Sequence, residues 1–251
     1  MTKKQHIGLP AGDGYDRAHW IDGAGRAQAV RVLDAASVRD MSPTGRTRPI
    51  YKWTGMTNYH GHYWVSSTGR HVWHESMAEY SVMMLMDHLH SPTNALSQPL
   101  LVTFADGSHH TPDYLLDTPS GGRLLVDVHP KARTTKEHAK SFEQTRRLCE
   151  GVGWGYYLFD SLNRVAVWNL EMFARYRHPR YAPKAEVAET ILALANKVET
   201  FGELRAALKT DKPGEAIPYI YHLMWRRHIQ FNLSRPFRDH SPIWVGNQIS
   251  N

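Results

Sequence analysis

The segment PDYLLDTPSGGRLLVDVHPKAR, residues 112–133, constrains the fold more than any other. Two apolar runs flank TPSGG, a turn with Pro and paired Gly, which is the pattern of a β-hairpin. Asp113 and Asp127 lie equally far from Ser120 in that turn. In a regular hairpin they face each other across neighbouring strands, with Cβ atoms no more than about 5.5 Å apart. Opposed like charges destabilise a sheet unless one points to solvent or a cation lies between them. Carboxylates surrounded by water are what Mg²⁺ or Mn²⁺ prefers. Period-two alternation puts Asp127 and His129 on one face of the second strand, with Val126 and Val128 on the other. A register shifted from this count is the competing reading.

The flanking segments give the hairpin its setting. ESMAEYSVMMLMDHL (75–89) has Ala78, Val82, Leu85 and Leu89 at helical spacing. Glu75 and Glu79 are four apart and share a face of that helix, so one carboxylate can reach a site at the helix edge while the other supports it. A solvated acidic face is the alternative. After the loop HSPTNALSQP, the runs LLVTF, PDYLLD and GRLLVDV read as a three-stranded meander. TTKEHAKSFEQTRRLCE then reads as a helix with a Thr cap and Gly151 just past its end, and GWGYYLFD as a further strand. The expected core is α/β, a mixed sheet flanked by helices.

The C-terminal part changes character. It offers three helices, the second opened by a Thr200–Glu203 capping box, then two strands at IQFNL and SPIWV. That order is the arrangement of a winged helix-turn-helix domain. The expected division is an irregular arm over 1–50 with one strand at AQAVRVLD, an α/β domain over 51–180, and a winged-helix domain over 181–251. The aromatic-rich stretch YKWTGMTNYHGHYWVSSTGRHVWH reads as short strands and turns.

Composition narrows the function classes. One cysteine, Cys149, leaves no intramolecular disulfide and reads as a small buried residue, which suits a reducing cytosol. No apolar run approaches the ~20 residues of a membrane span, and MTKKQHIGLPAGDG lacks an apolar signal core, so a cytoplasmic protein without membrane contact is expected. A net charge of +6 favours polyanions as partners. HGH (60–62) and HH (109–110) lack the companion cysteines of a structural zinc site. Arg226, Arg227 and His228 close the third C-terminal helix, where they either contact DNA or a protein partner or complement the helix dipole.

In order along the chain, Glu79, Asp113 and Asp127-Val128-His129 resemble the PD-(D/E)-x-K motif of restriction-endonuclease-like nucleases, preceded by its helical glutamate. More closely, SMAEYSVMMLMDH, SQPLLVTF, TPDYLLD, LLVDVHPKAR and GVGWGYYLFDS resemble the TnsA-type endonuclease subunit of heteromeric transposases. The segment ending RRHIQFNLSRPFR is similar as well, so the likeness covers roughly residues 60–240. The resemblance implies a restriction-endonuclease-like domain that uses Mg²⁺ or Mn²⁺ to hydrolyse phosphodiester bonds of duplex DNA at the 5′ ends of a mobile element. It further implies a DDE-type transposase subunit and an ATPase regulator as partners, with a homodimer left open. Carried over by position, Glu79, Asp113 and Asp127 are the metal ligands, and His129 stands where the family commonly has lysine. Lys131, two residues on, is the other candidate for that positive charge, and Glu75 and Gln98 are supporting residues. Two other readings share the fold: a DNA-binding or assembly subunit whose nuclease site has decayed, and an independent restriction or repair nuclease.

Overall fold

The computed structural model describes residues 7–8, 14–32, 38–39, 41–48, 59–208 and 216–246. The first part of the aromatic stretch, YKWTGMTN (51–58), and parts of the expected arm lie outside the described residues. The fold is α/β. Its contacts divide the chain into two compact units, Met1–Val82 with Pro92–Ser161, and Met83–Ser91 with Leu162–Asn251.

In chain order the first unit holds β1 (Arg17–Ile21), β2 (Ala27–Arg31), β3 (Gly61–Val65), β4 (Arg70–His74) and the start of α1 (Met77–His90). It continues with β5 (Asn94–Ser97), β6 (Leu100–Thr103), β7 (His109–His110), β8 (Tyr114–Asp117), β9 (Arg123–Val128), α2 (Lys136–Val152) and β10 (Gly155–Phe159). One sheet has the order β2-β1-β6-β7 and is antiparallel throughout. The other, β10-β9-β8-β5, is mixed, because β10 returns parallel to β9 after α2. β3 and β4 form a separate hairpin.

Three expectations need correction. The strand expected at AQAVRVLD is present as β2, but the described part of 1–50 is not an irregular arm, since β2 forms a hairpin with β1, which pairs with β6. The apolar alternation His19-Trp20-Ile21 is too short to stand out from its Gly- and Asp-rich surroundings, yet Ala18, Val38 and Met41 enter the core. The three-strand meander is also split: LLVTF pairs with β1 and β7, while β8 pairs with β9 and with β5, the strand hidden in the expected loop HSPTNALSQP. Finally, α2 runs through Gly151 and ends at Gly153, whose φ of 75° places it in the left-handed region that favours glycine at a helix end. Its expected Thr cap is Thr135, whose hydroxyl accepts from the His138 N–H.

The core of this unit forms where the two sheets meet α2. Leu100 and Val102 of β6, Leu115 of β8, Leu125 of β9, and Leu148, Cys149 and Val152 of α2 pack together with Phe104 and Trp154. All four residues of β6 are buried, so this strand is covered on both faces. Truncating a fully buried leucine such as Leu125 to Ala costs ~2–5 kcal/mol. Burial pushes the Cys149 thiol up to about 12, so it is an inert core residue rather than a nucleophile.

The second unit contains the later part of α1, then α3 (Arg164–Ala174), α4 (Ala185–Ala195), α5 (Phe201–Ala207), α6 (Ile217–Trp225), β11 (Ile229–Phe231) and β12 (Ile243–Val245). α3 was not anticipated, and it moves the division from residue 180 to Leu162. Phe173 of α3 packs against Tyr221 and Phe237, with ring centroids 5.2 and 5.1 Å away, which ties α3 to the C-terminal helices. The Thr200–Glu203 capping box opens α5 as read from the sequence. Three helices and the antiparallel β11–β12 ladder follow in the expected order. Among the described residues no helix is long and apolar enough to cross a membrane.

The face expected for α1 is buried only in part, with Val82 buried and Leu85 and Leu89 half-buried. Val82, Met83, Met84 and Met86 are all at most 1% exposed, whereas Ala78 is exposed. The run VMMLM is apolar all round, so spacing alone could not choose a face.

Candidate active site

The β8–β9 ladder pairs Tyr114 with Val126 and Asp117 with Arg123, a register centred on Ser120. This is the register counted from the sequence. Continued one step beyond the ladder, this register sets Asp113, the residue before β8, opposite Asp127 at the open end of the hairpin. There the Val128 N–H donates to Asp113 Oδ2 at 2.8 Å instead of to a strand carbonyl. At the turn end, the remaining hairpin aspartate, Asp117, is matched by Arg123 at 2.8 Å.

Asp113 and Asp127 line one cleft of about 630 Å³ with Arg48, His109, His110 and His129. His138, Ser141 and Phe142 of α2 form another wall. Burial holds the Asp113 carboxyl well above the usual carboxylate range, and the charges of Asp127 and Glu79 push it the same way. The Val128 N–H and Arg48 offset only part of this. Asp127 is 2% exposed and is held by His110 Nε2 at 2.9 and 3.0 Å and by the Tyr156 hydroxyl at 2.7 Å. His129 shares the α2 side of β9 with Asp127, as alternation predicts. Its ring lies against His138 and Phe142, with centroids 4.5 and 5.3 Å away. His129 Nε2 is buried and has no hydrogen-bond partner among the described residues.

Glu79 is engaged within its own helix. Its carboxylate accepts from the Glu75 N–H at 2.7 Å and from the Ser76 hydroxyl at 3.0 Å, closing the first turn of α1 as a capping residue. It is absent from the cleft lining, although its charge reaches Asp113, and burial raises its own carboxyl above the ordinary value. SMAE carries the signature of a capping box as well as that of an acidic ligand, and the cap takes the side chain. Lys131 opens an exposed 3-10 turn, Lys131–Arg133, directly after Pro130, and is likewise absent from the lining. Backbone bonds continue past the proline, from the His129 N–H to the Phe159 carbonyl at 2.9 Å and from the Lys131 N–H to the Asp160 carbonyl at 3.2 Å, and the lysine side chain is exposed.

The supporting residues form a network that reaches Asp113. Gln98 is 2% exposed with φ 48°, an uncommon conformation for a residue other than glycine. Its N–H donates to the Asp113 carbonyl at 2.8 Å, and its carbonyl accepts from the Thr47 N–H at 2.9 Å. Arg46 joins Glu75 at 2.9 Å to the Gln98 side chain, and Arg48 takes the other Glu75 oxygen. Arg46, Arg48, His110 and Tyr156 were not recognised as site residues from the sequence. The alternation Arg46-Thr47-Arg48 was a signal, since an extended chain sends both arginines the same way.

In the second unit, Arg226 is exposed at the end of α6, but Arg227 is committed locally. It adopts φ 61° and donates to the Leu89 carbonyl at 3.0 Å, capping the end of α1. Arg227 thus has a structural role at the end of α1. His60 and His62 pack on Trp73, with ring centroids 5.1 Å away in both cases.

The donor set decides which metal these residues fit. Among the described residues no group of three His, Cys, Asp or Glu side chains is gathered as ligands, which a zinc site would require. Mg²⁺ needs less, since it keeps several waters and is bound through one or two carboxylates. Asp113 and Asp127, two buried carboxylates in one cleft, fit that requirement without Glu79. A comparison with protein-family models finds no match for this chain, and a comparison with curated proteins finds none either.

Proposed function

We propose that the protein is a Mg²⁺- or Mn²⁺-dependent DNA endonuclease with a restriction-endonuclease-like first unit and a winged helix-turn-helix second unit. The observation that carries this reading is the pair of buried carboxylates, Asp113 and Asp127, in one cleft with Arg48, His109, His110 and His129, where the charge of Asp127 helps raise Asp113. Asp113 and Asp127 would hold a divalent cation, which would supply an activated water and neutralise charge on the phosphate. His110 and Tyr156 fix the orientation of Asp127, and Gln98 fixes the backbone of Asp113. His129 lines the same cleft and its Nε2 has no hydrogen-bond partner among the described residues, so a side-chain turn toward the substrate would let it give a proton to the departing oxygen or stabilise the phosphate. Following the resemblance of the sequence, the substrate is the 5′ end of a mobile element, and the partners are a DDE-type transposase and an ATPase regulator.

The capped position of Glu79 favours a second reading, a DNA-binding subunit with an inert site. Nicking of supercoiled plasmid separates the two. The parent protein is expected to nick in Mg²⁺ or Mn²⁺ and not in EDTA, and Asp113→Ala to lose nicking while keeping duplex binding. If Asp113→Ala nicks as fast as the parent, the assignment of the site is wrong.

A further inference from the structure

Glu75 is held between two arginines that differ in freedom. Arg46, with 18% of its side chain exposed, pairs with Oε1, also donates to Gln98, and lies over the Trp73 ring at 5.2 Å. Arg48, with 48% exposed, pairs with Oε2 and lines the cleft beside Asp113 and Asp127. Arg46 is locked and Arg48 is not. If Arg48 turns away, Glu75 keeps Arg46, so no buried carboxylate is left unpaired. An exposed ion pair contributes little to stability, whereas a guanidinium can hold a phosphate with two parallel hydrogen bonds. The Thr47 backbone, fixed to Gln98 on one side and to Ile7 on the other, sets the segment at the rim of the cleft.

We infer that Arg48 is the phosphate-contacting residue of this cleft, resting on Glu75 until a DNA phosphate replaces the carboxylate. The inference deepens the nuclease reading and rests on it for the identity of the ligand. Arg48 then orients the phosphodiester against Asp113 and Asp127, and Glu75 is a positioning residue for Arg48 rather than a metal ligand.

The test is binding of a short DNA duplex, with Ca²⁺ replacing Mg²⁺ to prevent cleavage, measured over a range of salt concentrations. Arg48→Ala should weaken binding about tenfold, as expected for one charge-assisted contact. It should also reduce the slope of log Kd against log salt by about 0.9, the release of one phosphate's counterion. Arg48→Lys should restore the slope. Glu75→Gln breaks the same ion pair but keeps the cation, so it should bind at least as tightly as the parent with an unchanged slope. An unchanged slope in Arg48→Ala, or an equal loss in Glu75→Gln, overturns the inference. Mn²⁺ binding, followed by electron paramagnetic resonance, probes the metal separately and should be the same in parent and Arg48→Ala. Loss of slope without any Mn²⁺ binding supports Arg48 and removes the metal, whereas a parent that binds neither duplex nor Mn²⁺ overturns both.

Discussion

Replacing Asp113 with Asn should stabilise the metal-free protein, although it removes a residue assigned to the active centre. Taking the ~5.5 Å Cβ spacing of residues opposed across a hairpin as the charge separation, with an effective dielectric constant of ~20, the repulsion between Asp113 and Asp127 is about 3 kcal/mol. Asn keeps an oxygen for the Val128 N–H and loses the charge. The gain depends on pH. Because burial and Asp127 raise the folded-state pKa of Asp113, the folded protein retains a proton that the unfolded chain has already released. The parent's stability therefore falls as pH rises from the unfolded carboxyl value, ~3.9, through the raised folded value, and Asp113→Asn escapes that fall. Scanning calorimetry in EDTA at neutral pH should show the variant melting higher by up to ~10 °C, at ~2–4 °C per kcal/mol. Mg²⁺ reverses the order. At a hundred times its Kd the metal adds about 2.7 kcal/mol to the parent and much less to a variant lacking one ligand. An Asp113→Asn variant that melts lower in EDTA, or a parent whose melting ignores Mg²⁺, would refute the argument that these carboxylates repel each other and share a cation.

His129→Ala should lower the rate of DNA nicking by ~10²–10⁴, the usual contribution of a positioned acid or base, while changing duplex affinity less than twofold. An equal loss in affinity would mark His129 as a binding residue instead. In the second unit, burial lowers His88 to about 4, and its Nδ1 bonds to the Trp225 carbonyl at 2.9 Å. The stability tied to this neutral histidine is complete above ~6.5 and is lost as pH falls from there to about 4, at a cost of ~3 kcal/mol. His88→Gln should flatten the dependence of the urea midpoint over that window, and a variant with the parent's slope would show that another group titrates there.

The hairpin was legible because its signal is local. A turn with fixed chemistry sets the register, and the register alone brings Asp113 opposite Asp127, with His129 on the same side as Asp127. The Thr135 and Thr200 caps were legible for the same reason. What stayed hidden depends on pairing over long separations. Arg46 and Arg48 sit in a Gly-, Ser- and Pro-rich stretch whose sequence gives no hint that Thr47 bonds to Gln98, and His110 meets Asp127 only because the two-residue β7 extends a different sheet. Glu79 shows a separate difficulty. The same residue type four positions from Glu75 and three from Ser76 satisfies both a capping pattern and a metal-ligand pattern, and only the hydrogen bonds of the folded helix distinguish them.

Crystals soaked in Mn²⁺ and measured for anomalous scattering test the central claim most directly. The account predicts a peak within coordination distance of both Asp113 and Asp127, with Glu79 still bonded to the Glu75 N–H and water filling the remaining positions. A peak held by other residues, or none at a concentration that supports nicking, would contradict it.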